Sequence, residues 1–134
     1  MALAFSRAFA RRSLAAALIA ASTPAFAAIG DYEFRLLSTE VKQGNDAVVA
    51  VRLVHKPTGR AVPDAVIFAT RLDMSPDNMP TMTMPLAAVP GGEPGEYRFR
   101  TNLVMAGGWA LTLSARIQGE EGTVQQRLVL RATH

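Results

Sequence analysis

The sequence predicts an all-β protein, an immunoglobulin-like antiparallel β-sandwich of about seven strands preceded by a cleavable signal peptide. Apolar and polar residues alternate with period two along six segments, which is the pattern of half-buried strands in antiparallel sheets. Turn clusters rich in Gly, Pro, Asn and Asp separate those segments at short intervals. Beyond the N-terminal segment, no stretch of the 134 residues has a convincing helical period. A small closed barrel is the main alternative architecture.

The first 27 residues read as an export signal. Arg7, Arg11 and Arg12 form a basic region, and Ser13–Ser22 (SLAAALIAAS) is an apolar run too short to span a bilayer. Ala25-Phe26-Ala27 has the small-x-small pattern for cleavage, which makes Ala28 the first mature residue. The expected organisation is therefore a signal at 1–27 and one domain at 28–134, located in the periplasm, with no membrane span in the mature chain. Of 14 Lys and Arg, three leave with the signal and no acid does, so 11 basic residues balance 11 acidic ones. The sequence pI near 10.0 is thus no nucleic-acid footprint, and no nucleic-acid partner is expected. The chain has no cysteine, so the domain must rest on its core rather than on crosslinks.

The strands follow in order. Tyr32, Phe34 and Leu36 share a face in the first, and Val49, Val51 and Leu53 in the second, with Arg52 opposite. Val66, Phe68, Thr70 and Leu72 align in the third. Tyr97, Phe99, Thr101 and Leu103 align in the fourth, with Arg98 and Arg100 turned to solvent. Trp109, Leu111, Leu113, Ala115 and Ile117 form the inner face of the fifth. Val124, Leu128 and Leu130 mark the sixth, and a further extended segment around Met82–Ala88 brings the count to six or seven.

Chemistry concentrates in one segment. Met74, Met79, Met82 and Met84 fall within eleven residues, and Met105 precedes Gly107-Gly108-Trp109. The thioether is a soft, neutral donor suited to Cu(I) and also a flexible core filler. Met74 continues the Leu72 face and Met105 the Leu103 face, so packing is the plain reading for both. Met79, Met82 and Met84 lie among Pro76, Pro80 and Pro85, which argues for an edge or loop. If Thr81–Met84 is extended, Met82 and Met84 point to one side. Converging thioethers would make a Cu(I) site of Met79, Met82 and Met84, with Met105 as fourth donor; a methionine-lined apolar loop covering one end of the sandwich is the alternative.

Other chemistry is thinly represented. His55 stands at a strand end and His134 is the final residue, with no His-x-His or HExxH spacing. Asp73 and Asp77 flank a Ser-Pro turn, where acids ordinarily cap. Ser75 and Ser114 have no neighbouring histidine in sequence, and no Gly-rich phosphate loop leads from a strand into a helix. An enzyme is not expected.

Pro57–Val66 resembles the strand-turn-strand opening of many bacterial extracytoplasmic immunoglobulin-like domains, and Met79-Pro80-Thr81-Met82, Gly95-Glu96-Tyr97 and Met105-Ala106-Gly107-Gly108-Trp109 follow it in order. The succession resembles the YtkA-like domain, related to the FixH family, over roughly Asp31–Arg131. The resemblance implies a small immunoglobulin-like sandwich outside the cytoplasm, often associated with copper handling and efflux, and implies no catalytic activity. FixH proper carries a membrane anchor, whereas this chain shows only a cleavable signal. Two functions follow as expectations. One is a periplasmic module that holds or delivers Cu(I) through a methionine-rich loop, accessory to copper efflux or envelope metal homeostasis. The other is a non-metal accessory domain that docks on an envelope efflux or assembly complex.

Overall fold

The computed structural model describes residues 28–134; the expected signal peptide at 1–27 lies outside the described residues. Ten strands form two five-stranded sheets packed face to face. The first sheet holds β1 (Tyr32–Leu36), β3 (Gly44–His55), β8 (Glu96–Leu103) and β7 (Ala87–Val89) in that order, with the two-residue β4 (Arg60–Ala61) beside β3. The second runs β2 (Glu40–Lys42), β10 (Val124–Thr133), β9 (Gly107–Arg116), β5 (Val66–Met74), β6 (Met79–Met84). All pairs are antiparallel except β2 with β10. The helical content among the described residues is two single 3-10 turns, Ile29–Asp31 and Ser75–Asp77. The strand count exceeds seven because β2, β4 and β7 are too short to leave a periodic signature.

The core consists of the alternating residues. Phe34, Val49, Val51, Leu53, Phe99, Leu103, Trp109, Leu111, Leu113, Ala115 and Leu130 are all buried between the sheets. Each sheet thus has the apolar inner face that its strand periodicity implies.

Two expectations fail, one on register and one on where a strand ends. Val66 and Phe68 were aligned with Leu72, yet they are 63% and 52% exposed. A bulge between Ile67 and Ala69 shifts the pairing of β5 with β9. Ile67 then shares the inner face with Ala115, while Phe68 is turned to the surface beneath the Arg116 guanidinium, 5.5 Å from the ring centroid. A bulge adds one residue and reverses the alternation beyond it. Met105 was placed on the Leu103 face, but β8 ends at Leu103 and Met105 lies in the turn, 37% exposed.

Gln126 has a role that periodicity does not reveal. It faces inward opposite Leu113, where an apolar residue would be expected. Its Oε1 accepts from the Phe34 amide at 2.7 Å and its Nε2 donates to the Phe34 carbonyl at 2.7 Å. Among the described residues β1 is an edge strand paired only with β3, so its outward backbone groups need partners. One side chain from the opposite sheet supplies both.

Candidate functional site: the methionine edge

The RLDMSPDNMPTMTMP segment folds from its own residues. Asp73 is 6% exposed; its Oδ1 accepts from the Ser75 amide at 2.8 Å and its Oδ2 from Arg71 Nε at 2.8 Å. Burial alone would raise this carboxyl group, but the Ser75 hydrogen bonds and the Arg71 guanidinium together outweigh it and hold the pKa below the ordinary 3.8. Pro76 is the second residue of the 3-10 turn that Ser75 begins, and Asn78 ends it at φ 61°, a left-handed conformation that Asn tolerates better than most residues. The chain then reverses into β6, at the free edge of the second sheet.

The pairing of β6 with β5 is irregular. Leu72 faces Met84, Asp73 faces Thr83 and Met74 faces Met79, so Pro80, Thr81 and Met82 have no opposite number. Arg71 Nη2 donates to the Pro80 carbonyl at 2.9 Å and anchors this bulged stretch. Thr81 and Thr83 are exposed, whereas Met79, Met82 and Met84 are half-buried and pack against the core. The segment is therefore an edge strand rather than a loop. Its extension turns Met82 and Met84 to the same, inward side. Met74 is fully buried in the core, as its place in the alternation implies, and lies directly across from Met79.

The second methionine motif meets the first. Asp77 Oδ2 accepts from the Gly108 amide at 3.1 Å. A Cβ on Gly108 would lie 2.8 Å from Pro76 Cβ; one on Gly107, at φ 134°, would run into the Asp77 carboxylate and lie 3.2 Å from Met74 Cε. The two glycines are small because the Ser75–Asp77 turn rests on them. Trp109 is fully buried and its Nε1 donates to the Met105 carbonyl at 3.1 Å. Met105 therefore contributes backbone to the tryptophan, while its side chain is exposed in the β8–β9 turn rather than half-buried with the other three.

The Gly95-Glu96-Tyr97 motif is structural. Gly95, at φ 88°, packs under Ala61. Glu96 takes Arg52 at 3.1 Å and Arg98 at 3.4 Å. The Tyr97 hydroxyl donates to the Val62 carbonyl at 2.8 Å and accepts from the Ala65 amide at 3.0 Å, fastening the β4–β5 connection.

His55 lies at the other end of the sandwich, since β3 meets Leu103 at Gly44 and Tyr32 at His55. Its Nδ1 is 2.8 Å from Thr58 Oγ1 and its ring tilts against Tyr32 at 5.1 Å. With Arg60, Asp64 and Gln118 it lines an open cleft of about 500 Å³. Burial, then the Glu120 carboxylate 3.1 Å away, raises the Tyr32 hydroxyl above its usual pKa.

Among the described residues, no group of three or more His, Cys, Asp or Glu could hold a metal ion. The β6 edge instead carries the thioethers of Met79, Met82 and Met84. A neutral, polarizable donor set of this kind fits a soft monovalent cation and fits hard divalent ions poorly. No helix among the described residues is long and apolar enough to cross a membrane.

Comparison with known proteins places the chain. Among solved structures it is similar to the Lin-41 filamin domain, at 15% identity and TM-score 0.44 over 81% of this chain and 95% of that one. It is also similar to the ZirS C-terminal domain, at 10% identity and TM-score 0.46 over 84% and 75%. A conjugative transposon lipoprotein from Bacteroides eggerthii aligns at 12% identity and TM-score 0.34 over 75% and 96%. No curated protein matches. The family model described as YtkA-like matches residues 26–114, which run from before β1 into β9 and include both methionine motifs. The chain belongs to the YtkA-like family.

Proposed function

We propose that this protein is an exported, non-enzymatic β-sandwich of the periplasm that holds Cu(I) at the methionine edge for delivery or removal. The observation that carries the reading is β6 itself. An extended edge strand presents Met82 and Met84 on one side, Met79 joins them, and Met74 stands across from Met79. Met79, Met82 and Met84 supply the donors in this reading, and Met105 completes the set from the adjoining turn. Thioethers need lose no proton to bind a metal. The signal-like residues 1–27 and the YtkA-like order of the motifs support an envelope location.

The test is an anaerobic Cu(I) titration of the purified protein against a competing chelator. Binding should vary little between about pH 5 and 7, because no thioether titrates there, whereas an imidazole site would weaken near its pKa of ~6.5. Replacing Met82 and Met84 together by Leu keeps the volume and should cost less than ~1.5 kcal/mol of stability, yet binding should collapse. A double variant that binds as well as the parent, or a parent that binds nothing, overturns the reading.

A second reading has its own support. Met79, Met82 and Met84 pack against the core, which is what an apolar cover for the sandwich edge requires. The protein is then an accessory domain that docks on an envelope complex through its surface.

A further inference from the structure

We propose that the open edge of β5, together with the groove between β5 and β7, receives an extended acidic and apolar segment of a partner protein as an added strand. The inference deepens the docking reading and is independent of whether the methionine edge holds a cation.

The opening has a local cause. β6 pairs with β5 only at Leu72, Asp73 and Met74. Pro85 has no amide hydrogen with which to continue the ladder, and Thr101 Oγ1 donates to its carbonyl at 2.9 Å. The chain is thereby drawn across to the first sheet, where it becomes β7. Among the described residues, Val66–Thr70 therefore has β9 on one side and no strand on the other. Unpaired backbone of this kind is a template for another strand. Native edges are usually guarded by charge or proline, but Val66-Ile67-Phe68-Ala69-Thr70 has neither.

The surroundings suit an inserted strand. Below the edge lies a groove of about 190 Å³ floored by Ile67, Leu86, Ala88 and Phe99. It continues, through shared Ile67, Ala88 and Phe99, into a hollow of about 300 Å³ that reaches Tyr97. Alternate side chains of an added strand would enter this groove while its backbone pairs with β5. The other side chains would meet Phe68 and the rim.

The charge of the rim selects the occupant. Arg116 lies over the exposed Phe68. Among the described residues it has no carboxylate partner, whereas Arg52, Arg71 and Arg98 each have at least one. Pairing of β5 with a second copy of itself would add no carboxylate to the edge, because Val66–Thr70 carries none, and both Arg116 side chains would stay unpaired. A segment alternating carboxylates with branched apolar residues satisfies both the groove and the rim.

The probe is a synthetic peptide of alternating valine and glutamate, with alternating valine and lysine as control, titrated into the isotope-labelled protein. The glutamate peptide should shift amide resonances at Val66–Thr70 and Ala87–Val89 and slow hydrogen exchange along β5. The lysine peptide should bind at least about tenfold more weakly. Arg116→Glu changes an exposed side chain, and the near-ultraviolet signal of Trp109 reports whether the fold is kept. In that variant the preference between the two peptides should invert, while Cu(I) affinity is unchanged. The proposal is overturned if neither peptide perturbs β5, if both bind equally, or if the shifts fall elsewhere on the surface. Concentration-dependent self-association with the same β5 shifts, in the absence of peptide, equally overturns it in favour of a second copy.

Discussion

Replacing Gln126 by Leu removes one side chain and two sheet-to-sheet hydrogen bonds at once. Leu has nearly the same volume and suits the inward position opposite Leu113, so packing should change little. What is lost is the pair of 2.7 Å bonds to the Phe34 amide and carbonyl. Each bond is worth about 0.5–1.5 kcal/mol net, and a backbone group left dry and unpaired adds about 1–3 kcal/mol. Gln126 is half-buried, so water can relieve part of that penalty. A loss of about 2–3 kcal/mol is expected, equivalent to about 10 °C in Tm for a domain of this size. Denaturant unfolding followed by Trp109 fluorescence measures the first figure and calorimetry the second. Hydrogen exchange adds a local readout: the Phe34 amide should lose protection in the variant, while the β9 amides keep theirs until global unfolding. A change below about 0.5 kcal/mol with Phe34 still protected would show that Gln126 is an ordinary surface polar residue.

Three further outcomes are expected. Trp109→Ala should cost about 3–5 kcal/mol, since the ring is fully buried, and the native fluorescence should be blue-shifted and move red on unfolding. Gly108→Ala should cost about 1–3 kcal/mol by overpacking, because its Cβ would press on Pro76 at 2.8 Å; thermal melts of the two proteins compare them directly. Acid should also weaken the fold. Asp73 is held below its ordinary 3.8, and Glu96, despite burial, is held low by Arg52, the Glu93 backbone and Arg98. A depressed carboxyl stabilises the native state above its unfolded pKa and ceases to do so as pH falls through its folded value. Denaturant midpoints between about pH 6 and 2.5 should therefore fall mainly below about pH 4, and Asp73→Asn should flatten part of that decline.

The parts of the fold that were legible in the sequence are those where side chains alone report burial. Val49, Val51 and Leu53, and the run from Trp109 to Ile117, alternate strictly and are buried as that alternation requires. Phe68 misled because a bulge is a backbone event: the residues around it keep their apolar character while the register slips. β2, β4 and β7 are too short to show a period. At the candidate site, the shared side of Met82 and Met84 could be read from their spacing. The contact of Pro76 and Asp77 with Gly107 and Gly108 could not, since it joins segments about thirty residues apart. The glycine pair was its only trace. Gln126 left no trace, because a lone polar residue in an alternating strand looks like a break in the pattern.

The position of β10 bears on when the sandwich can assemble. It is the last of the ten strands in chain order, yet it lies inside its sheet between β2 and β9 and carries the residue that closes β1. Neither edge of the early half of the chain is complete until β10 arrives, and the pairing of β2 with β10 joins residues as distant as Glu40 and Arg131. Loop closure over such distances is slow compared with hairpin formation. A ribosome would thus release most of this chain before a stable native state is available to it. On the proposed reading of the chain as an exported protein, that delay would leave the polypeptide unfolded, and so threadable, during the interval in which it crosses a membrane.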